Sequence, residues 1–232
     1  MSVEELDNLL DRDNIVGSLQ TLAATFPGRV VFSSSLGYED QVITDLICRH
    51  GVGISIFTLD TGRLFEETHN VLQRTNRRYD TQIETFFPAA PSVEQLVSSK
   101  GPYSFYESVE NRKECCFIRK VEPLNRALTG AKVWVTGIRA QQSQSRQAVP
   151  QLEWDEAKQL FKFHPLIDWS IEQVRAYIDA NNVPFNSLHN SGFVSVGCAP
   201  CTRAVKAGED FRAGRWWWED ESKKECGLHG KK

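Results

Sequence analysis

The fold is decided by the stretch Arg29-Val30-Val31-Phe32-Ser33-Ser34-Ser35-Leu36-Gly37, in which a short apolar strand runs into a loop of small residues. The segment from Glu39 to Arg49 follows this loop and has apolar side chains at helical spacing, namely Val42, Ile43, Leu46 and Ile47. A strand that passes through a tight loop into a helix is the first half of a βαβ unit. The chain is therefore expected to build a parallel sheet.

The alternation of strand and helix continues on both sides of this stretch. Further strands are predicted over residues 54–59, 81–86 and 132–136. Helices are predicted over residues 3–24, 64–75, 92–99, 112–128 and 170–181. This pattern favours an α/β fold with a mostly parallel sheet flanked by helices. In such sheets ligands bind at the carboxyl ends of strands, where residues 33–37, 60–62 and 137–139 fall.

Composition and charge narrow the class of protein. The 232 residues carry 27 Lys and Arg against 30 Asp and Glu, for a net charge of −3, and 41% are hydrophobic. The values are those of a globular protein, and the slight acidity argues against general nucleic-acid binding. No apolar run approaches the ~20 residues of a membrane span, and residues 1–20 lack the features of a secretory signal. We expect a cytoplasmic protein without a membrane partner.

The composition and periodicity of the sequence change near residue 203, which suggests a domain boundary there. Residues 1–203 are expected to form one nucleotide-binding α/β domain. Residues 204–232 are charged and contain glycine without a clear period, and they are expected to form a mobile C-terminal segment.

Four of the six cysteines form two closely spaced pairs. Cys115 and Cys116 are adjacent, and Cys198 and Cys201 form a C-x-x-C motif. In a reducing compartment such sets bind zinc or an iron–sulfur cluster more often than they form disulfides. Two adjacent cysteines strain to reach one tetrahedral ion, whereas a cubane presents separate iron atoms. The spacing therefore favours a 4Fe–4S cluster over zinc.

The remaining two cysteines have different surroundings. Cys226 lies between two lysines and His229, which favour the nucleophilic thiolate, whereas Glu225 opposes it. It is either a reactive thiol or a harmless exposed one. Cys48 lies on the apolar side of a predicted helix and is assigned to the core.

Several polar segments are candidates for binding an anion. The three serines 33–35 precede a helix whose amino end attracts anions, although the loop matches neither a P-loop nor a G-x-G-x-x-G motif. Basic residues cluster at a strand end and beside the cysteines: Arg119, Lys120, Arg139, Arg146, Arg203, Arg212 and Arg215. The run Trp216-Trp217-Trp218 fits either stacking on a base or anchoring of the chain.

Together these motifs resemble those of one enzyme family. The matching segments are residues 33–40, 59–63, 113–120, 137–143, 197–201, 214–219 and 225–229. They resemble the assimilatory adenylyl-sulfate (APS) reductases, the iron–sulfur branch of the PAPS/APS reductase family. The resemblance implies an adenine-nucleotide α-hydrolase (ATP-pyrophosphatase-like) fold. It also implies a reaction in which APS and reduced thioredoxin give sulfite, AMP and oxidised thioredoxin.

The resemblance also implies roles for individual residues. Cys226 would attack the sulfate sulfur, expel AMP and carry an S-sulfocysteine that thioredoxin, or a glutaredoxin-like donor, reduces. A 4Fe–4S cluster would be held by Cys115, Cys116, Cys198 and Cys201. The sulfate or phosphate would meet Lys120, Arg212, Arg215 and His229. The nucleotide would be held by Ser33, Ser34, Ser35, Gly137, Arg139 and Arg146. A homo-oligomer is compatible with this interpretation.

Three alternatives remain open at the level of sequence. A PAPS or dual APS/PAPS reductase is the nearest, because the run of three serines resembles the PAPS branch, which lacks the four cluster cysteines. An ATP-dependent thiolation enzyme would carry an S-G-G-x-D-S loop, from which residues 36–40 depart. An iron–sulfur sensor that binds nucleotide would leave Cys226 without a role.

Overall fold

The computed structural model describes residues 1–143 and 146–220, and its described strands form one six-stranded sheet. The strands are β1 (Val30–Ser33), β2 (Ser55–Leu59), β3 (Glu84–Phe86), β4 (Val133–Val135), β5 (Leu152–Asp155) and β6 (Leu160–Phe163). Their order across the sheet is β3-β2-β1-β4-β6-β5. The pairs β1–β2, β1–β4 and β4–β6 are parallel, and β5 is antiparallel to β6. The expectation of a mostly parallel sheet is confirmed.

Eight α-helices accompany these strands in the described part of the chain. They are α1 (Val3–Asp7), α2 (Ile15–Thr25), α3 (Tyr38–Arg49), α4 (Glu66–Tyr79), α5 (Ala90–Lys100), α6 (Val109–Cys116), α7 (Glu122–Ala127) and α8 (Ile171–Ala180). A π-helical segment, Phe117–Val121, joins α6 to α7 directly after the cysteine pair. Such wide turns are rare and occur frequently at functional sites. The sequence pattern predicted only one regular helix there.

The predicted helix over residues 3–24 is wrong in its middle, because α1 and α2 are separate. The hydroxyl of Ser18 accepts from the backbone N–H of Asp11 at 2.9 Å and donates to the carbonyl of Asp11 at 2.7 Å. The side chain of Asn14 then caps α2 by accepting from the N–H of Gly17 at 2.9 Å. Local side-chain bonds of this kind compete with helical ones and outweigh the apolar spacing.

The sequence pattern did not predict the hairpin of β5 and β6. Its strands have four residues each, and charged side chains interrupt their apolar pattern. In the structure the charges pair, with Lys162 Nζ 2.6 Å from Asp155 Oδ2 and 3.9 Å from Glu153 Oε1. The pairing satisfies a lysine that is almost fully buried.

The chain divides into two compact units, which are described separately. The first unit consists of Met1–Thr58, Thr68–Glu84 and Gly130–Asn186. It contains the large apolar core, in which Phe32, Val133 and Phe163 are fully buried. The buried Asp45 of α3 accepts from the hydroxyls of Tyr79 and Tyr177, each at 2.6 Å, and so links α3 to α4 and α8.

Within the described residues, the second unit consists of Leu59–Glu67, Thr85–Thr129 and 187–220. Its small core has an unusual composition, because Cys198 and Cys201 lie in it beside Phe105 and Trp216. The predicted boundary between residues 203 and 204 stays a prediction.

None of the helices within residues 1–143 and 146–220 is long and apolar enough to cross a bilayer.

Candidate functional site

In the first unit, the predicted serine loop is tied to its surroundings at every serine. Ser33 is the last residue of β1, and its Oγ accepts a hydrogen bond from the indole N–H of Trp134 at 2.8 Å. The buried Ser34 donates its N–H to the carbonyl of Phe57 at 2.8 Å. Its hydroxyl oxygen accepts from the N–H of Leu36 at 3.2 Å. The loop is thus a preformed turn at the carboxyl end of β1.

Ser35 is bound to a carboxylate that the sequence analysis did not single out. Its backbone N–H and its hydroxyl both donate to Asp40 Oδ2 at 2.5 Å. Asp40 lies in the first turn of α3 and is buried. Burial raises the pKa of this carboxyl to about 7, against the opposing effect of the two bonds from Ser35.

Gly137, which follows β4, gives Asp40 the space that it occupies. A Cβ at Gly137 would lie 1.9 Å from Asp40 Oδ1 and 3.3 Å from the Asp40 backbone nitrogen. No side chain fits there without moving α3 or the serine loop. The need for glycine thus comes from close approach, since Gly137 is not among the glycines with positive φ.

We expect Gly137→Ala to destabilise the fold by roughly 1–3 kcal/mol, because the added methyl group overlaps a pinned carboxyl. Because the resemblance assigns the nucleotide to this loop, its displacement is expected to weaken AMP binding about tenfold or more. Thermal unfolding and calorimetric titration with AMP measure the two effects. Gly53→Ala is the matched control, since a Cβ there meets nothing within 4 Å. Equal behaviour of the two variants would contradict this role of Gly137.

The two predicted arginines of this unit belong to one polar chain. Arg139 is 1% exposed and donates from Nε to Glu39 Oε1 at 2.8 Å and from Nη1 to the carbonyl of Trp169 at 3.2 Å. Gln142 donates to the same carboxylate oxygen at 3.0 Å, and the guanidinium of Arg146 donates to Gln142. The chain holds the segment after β4 against the start of α3. A substrate contact of Arg139 or Arg146 stays a prediction.

The second unit brings the four paired cysteines to one cavity. Cys115 and Cys116 end α6, whereas Cys198 precedes and Cys201 ends the 3₁₀ turn Ala199–Cys201. Cys198 and Cys201 are each 9% exposed. All four line a cavity that is completed by Arg63, Phe105, Arg112, Arg119, Lys120 and Pro200. Two distant sequence motifs therefore meet, as the spacing predicted.

Several hydrogen-bonding groups lie in the same unit as the four cysteines. The Thr61 hydroxyl lies 3.2 Å from Cys198 Sγ. Arg119 donates from Nη1 to the carbonyl of Thr61 at 2.7 Å, and its buried Nε has no partner among the described residues. The N–H groups at Arg215 Nε and Trp216 Nε1 are also buried, and neither has a partner within residues 1–143 and 146–220. Buried donors of this kind call for an acceptor.

Burial disfavours the ionised, reactive form of two of the cavity thiols, Cys115 and Cys201. Burial raises the pKa of Cys201 to about 12, and it also raises the pKa of Cys115. A buried protonated thiol is a poor nucleophile and becomes a thiolate only when a cation is bound. These cysteines thus have the character of ligands more than of nucleophiles.

Trp216 anchors the C-terminal part of the described chain. For this residue the structure favours packing over stacking on a base. Trp216 is 1% exposed, and the guanidinium carbons of Arg112, Arg215 and Arg212 lie 4.7, 4.9 and 5.8 Å from its ring centroid. Arg112 also forms a buried bidentate pair with Glu219, with both bonds at 2.9 Å. Arg212, Arg215 and Lys120 thus lie in the same unit as the cysteines, and their contact with substrate stays a prediction.

Two predicted residues, Cys226 and His229, lie outside the described residues. Three residues that the sequence analysis did not assign are Asp40, Thr61 and Arg112. Arg112 stands three and four positions before the cysteine pair, a spacing that puts it on their helix face. Thr61 lies in residues 60–62, which the sequence analysis places at the carboxyl end of a strand, where ligands bind.

The fold and the thiol-lined cavity define an α/β protein with a cysteine-rich second unit. The model of the phosphoadenosine phosphosulfate reductase domain matches residues 29–204. The chain belongs to that family.

Curated relatives narrow the similarity to one branch. The adenosine 5'-phosphosulfate reductase of Neisseria meningitidis serogroup B is 55% identical over 85% of this chain and 81% of the relative. The protein of the same name from Agrobacterium fabrum is 48% identical over 97% of this chain and 86% of the relative.

Solved structures agree on the fold. A phosphoadenylyl-sulfate (PAPS) reductase from Candida auris, in a phosphate complex, has a TM-score of 0.71 and 27% identity over 88% of this chain and 98% of that one. The FMN adenylyltransferase of Candida glabrata has a TM-score of 0.53 and 15% identity over 96% of this chain and 83% of that one, and it shows the fold alone. The predicted adenine-nucleotide α-hydrolase-like fold is confirmed.

Proposed function

We propose that the protein reduces APS to sulfite and AMP with electrons from thioredoxin, as a step of sulfate assimilation. One observation carries this proposal. Relatives named adenosine 5'-phosphosulfate reductase align with 85–97% of the chain at about half identity. The thiol-lined cavity in the second unit supports it, because the resemblance assigns four cysteines to this branch.

The proposed chemistry has three displacements at sulfur. The Cys226 thiolate attacks the sulfur of the sulfate group, the bond from that sulfur to the phosphate oxygen breaks, and AMP leaves with the electron pair. A thioredoxin thiolate then attacks Cys226 Sγ, and sulfite leaves with the electrons of the S–S bond. The second thioredoxin thiol resolves the mixed disulfide and returns Cys226 to its reduced form. The dithiol supplies both electrons.

The residues of the cavity fit a 4Fe–4S cluster, which we propose is held by Cys115, Cys116, Cys198 and Cys201. Four sulfurs line one cavity, and buried donors beside it lack an acceptor. Among the described residues no group of three or more His, Cys, Asp or Glu side chains is arranged to hold one metal ion. Each of the four irons in such a cluster takes one cysteine thiolate, so the four sulfurs do not have to converge on one atom. When bound, the cluster would supply a structural and electrostatic centre for this unit.

The resemblance assigns the charged groups of the substrate to residues of the chain itself. Lys120, Arg212 and Arg215 are cations that suit the sulfate group, and His229 joins them by resemblance. The loop Ser33–Ser35 and the start of α3 suit the nucleotide phosphate, since the amino end of a helix attracts anions. Developing negative charge on the leaving phosphate is what such groups stabilise.

PAPS reduction is the second candidate. It is favoured by the name of the matching family model and by the 27% identical Candida auris structure. The higher identity to relatives named for APS favours APS.

The experiment is sulfite release by anaerobically purified protein with reduced thioredoxin, with APS and PAPS tested in parallel. Rapid release from APS with little from PAPS is the expected result. Equal use of both substrates would keep the chemistry and remove the preference. Release from neither by protein that contains its iron would contradict the proposal.

A further inference from the structure

Asp40 occupies the place in the serine loop where an anion would find its donors. One carboxyl oxygen, Oδ2, takes both the N–H and the hydroxyl of Ser35 at 2.5 Å. The other, Oδ1, is packed against Gly137. A nucleotide phosphate bound at this loop needs the same two donors, so it competes with the carboxylate.

The charges around Asp40 sharpen this competition. Burial disfavours its ionised form and brings its pKa to about 7, and Glu39 of the same helix adds to the effect. The Ser35 bonds and the charge of Arg146 act in the opposite direction. The charge of Glu39 is itself balanced by Arg139, whose Nε lies 2.8 Å away.

We infer that Asp40 is a positioning residue whose carboxyl takes up a proton when the phosphate of the nucleotide binds, which frees the Ser35 donors for that phosphate. The inference rests on the proposed function, because it concerns the nucleotide of that reaction. A second anion next to a buried carboxylate disfavours the doubly charged state, so the carboxyl protonates and the proton comes from solvent.

The inference fixes the sign of a pH dependence. Because the bound state holds one proton more than the free state, affinity falls as the pH rises above the pKa of free Asp40, about 7. The dissociation constant of APS is expected to rise by up to about tenfold per pH unit in that range. The phosphosulfate itself carries no group that titrates there.

The test is calorimetric titration of Cys226→Ser with APS from about pH 6 to about pH 9, in buffers of different ionisation enthalpy. The serine prevents turnover, and the buffer dependence counts the protons. The expected result is an uptake that approaches one proton per chain above neutral pH. The double variant Cys226→Ser/Asp40→Asn, with a neutral amide, is expected to show no uptake and a flat affinity. Asp179→Asn, on the exposed face of α8, is the matched control and is expected to keep the uptake.

A further variant covers the case in which Asp40→Asn does not fold. Ser35→Ala removes one bond to the ionised carboxyl, so the loss of affinity is expected to begin at higher pH. An unchanged pH profile in Ser35→Ala overturns the inference, as does equal proton uptake with and without Asp40→Asn. pH-independent binding of APS overturns this inference alone, whereas absence of any APS binding overturns the proposed function with it.

Discussion

The Cys226→Ser variant is expected to lose sulfite release from APS by more than about a thousandfold. Under the proposed chemistry, Cys226 forms the covalent intermediate, and a serine hydroxyl neither attacks the sulfate sulfur comparably nor passes a sulfonate to thioredoxin. Removal of such a nucleophile leaves only binding and positioning to act. Initial rates of sulfite formation at saturating APS and thioredoxin measure the effect.

The same variant separates catalysis from binding. Its affinity for APS and its iron content are expected to match those of the parent protein, since the resemblance assigns the cluster to four other cysteines. Cys48→Ala is the matched control, because Cys48 packs against the apolar core of the first unit and burial raises its pKa to about 11. Sulfite release by Cys226→Ser at a rate near that of the control would refute the nucleophile assignment.

The second large effect is expected for Cys116→Ser, which should lose the proposed cluster. A hard hydroxyl replaces one of four soft sulfur ligands at the end of α6, and iron–sulfur clusters depend on thiolates. Iron and acid-labile sulfide are expected at about four of each per chain in the parent protein and near zero in this variant after anaerobic purification. Both are measured chemically and do not depend on activity.

Two further variants check the proposed ligand set, one outside the cavity as a control and one inside it. Cys48→Ala lies in the other unit and is expected to keep the full iron content. Cys198→Ser is expected to behave like Cys116→Ser, because both side chains line the same cavity. Full iron in either cavity variant would show that the cavity does not hold the cluster in the way proposed.

The sequence predicted the parallel sheet and the cysteine cavity well, because both depend on short local patterns. Alternating apolar segments marked β1, β2 and β4, and the two cysteine motifs pointed to one site. The break between α1 and α2 was missed because the Ser18 bonds to the Asp11 backbone span seven residues. The β5–β6 hairpin was missed because the partners of its buried Lys162, Asp155 and Glu153, are on the other strand.

Other features of the candidate site depend on contacts between distant parts of the chain. The Arg112–Glu219 pair joins residues 107 positions apart, and no periodicity announces it. The need for glycine at position 137 likewise comes from Asp40, which lies in a different helix. Motifs therefore mark where chemistry occurs, whereas the charges and close contacts that adjust it appear only in the folded chain.

Central to this account is a covalent intermediate on Cys226, and the most direct measurement is the mass of the protein after mixing with APS in the absence of a reductant. The account predicts a gain of ~80 Da, the mass of one SO₃ group, on the peptide that contains Cys226. It also predicts one equivalent of AMP, and loss of the adduct when reduced thioredoxin is added. Release of AMP and sulfite without an adduct, or an adduct on a cavity cysteine, would contradict the account.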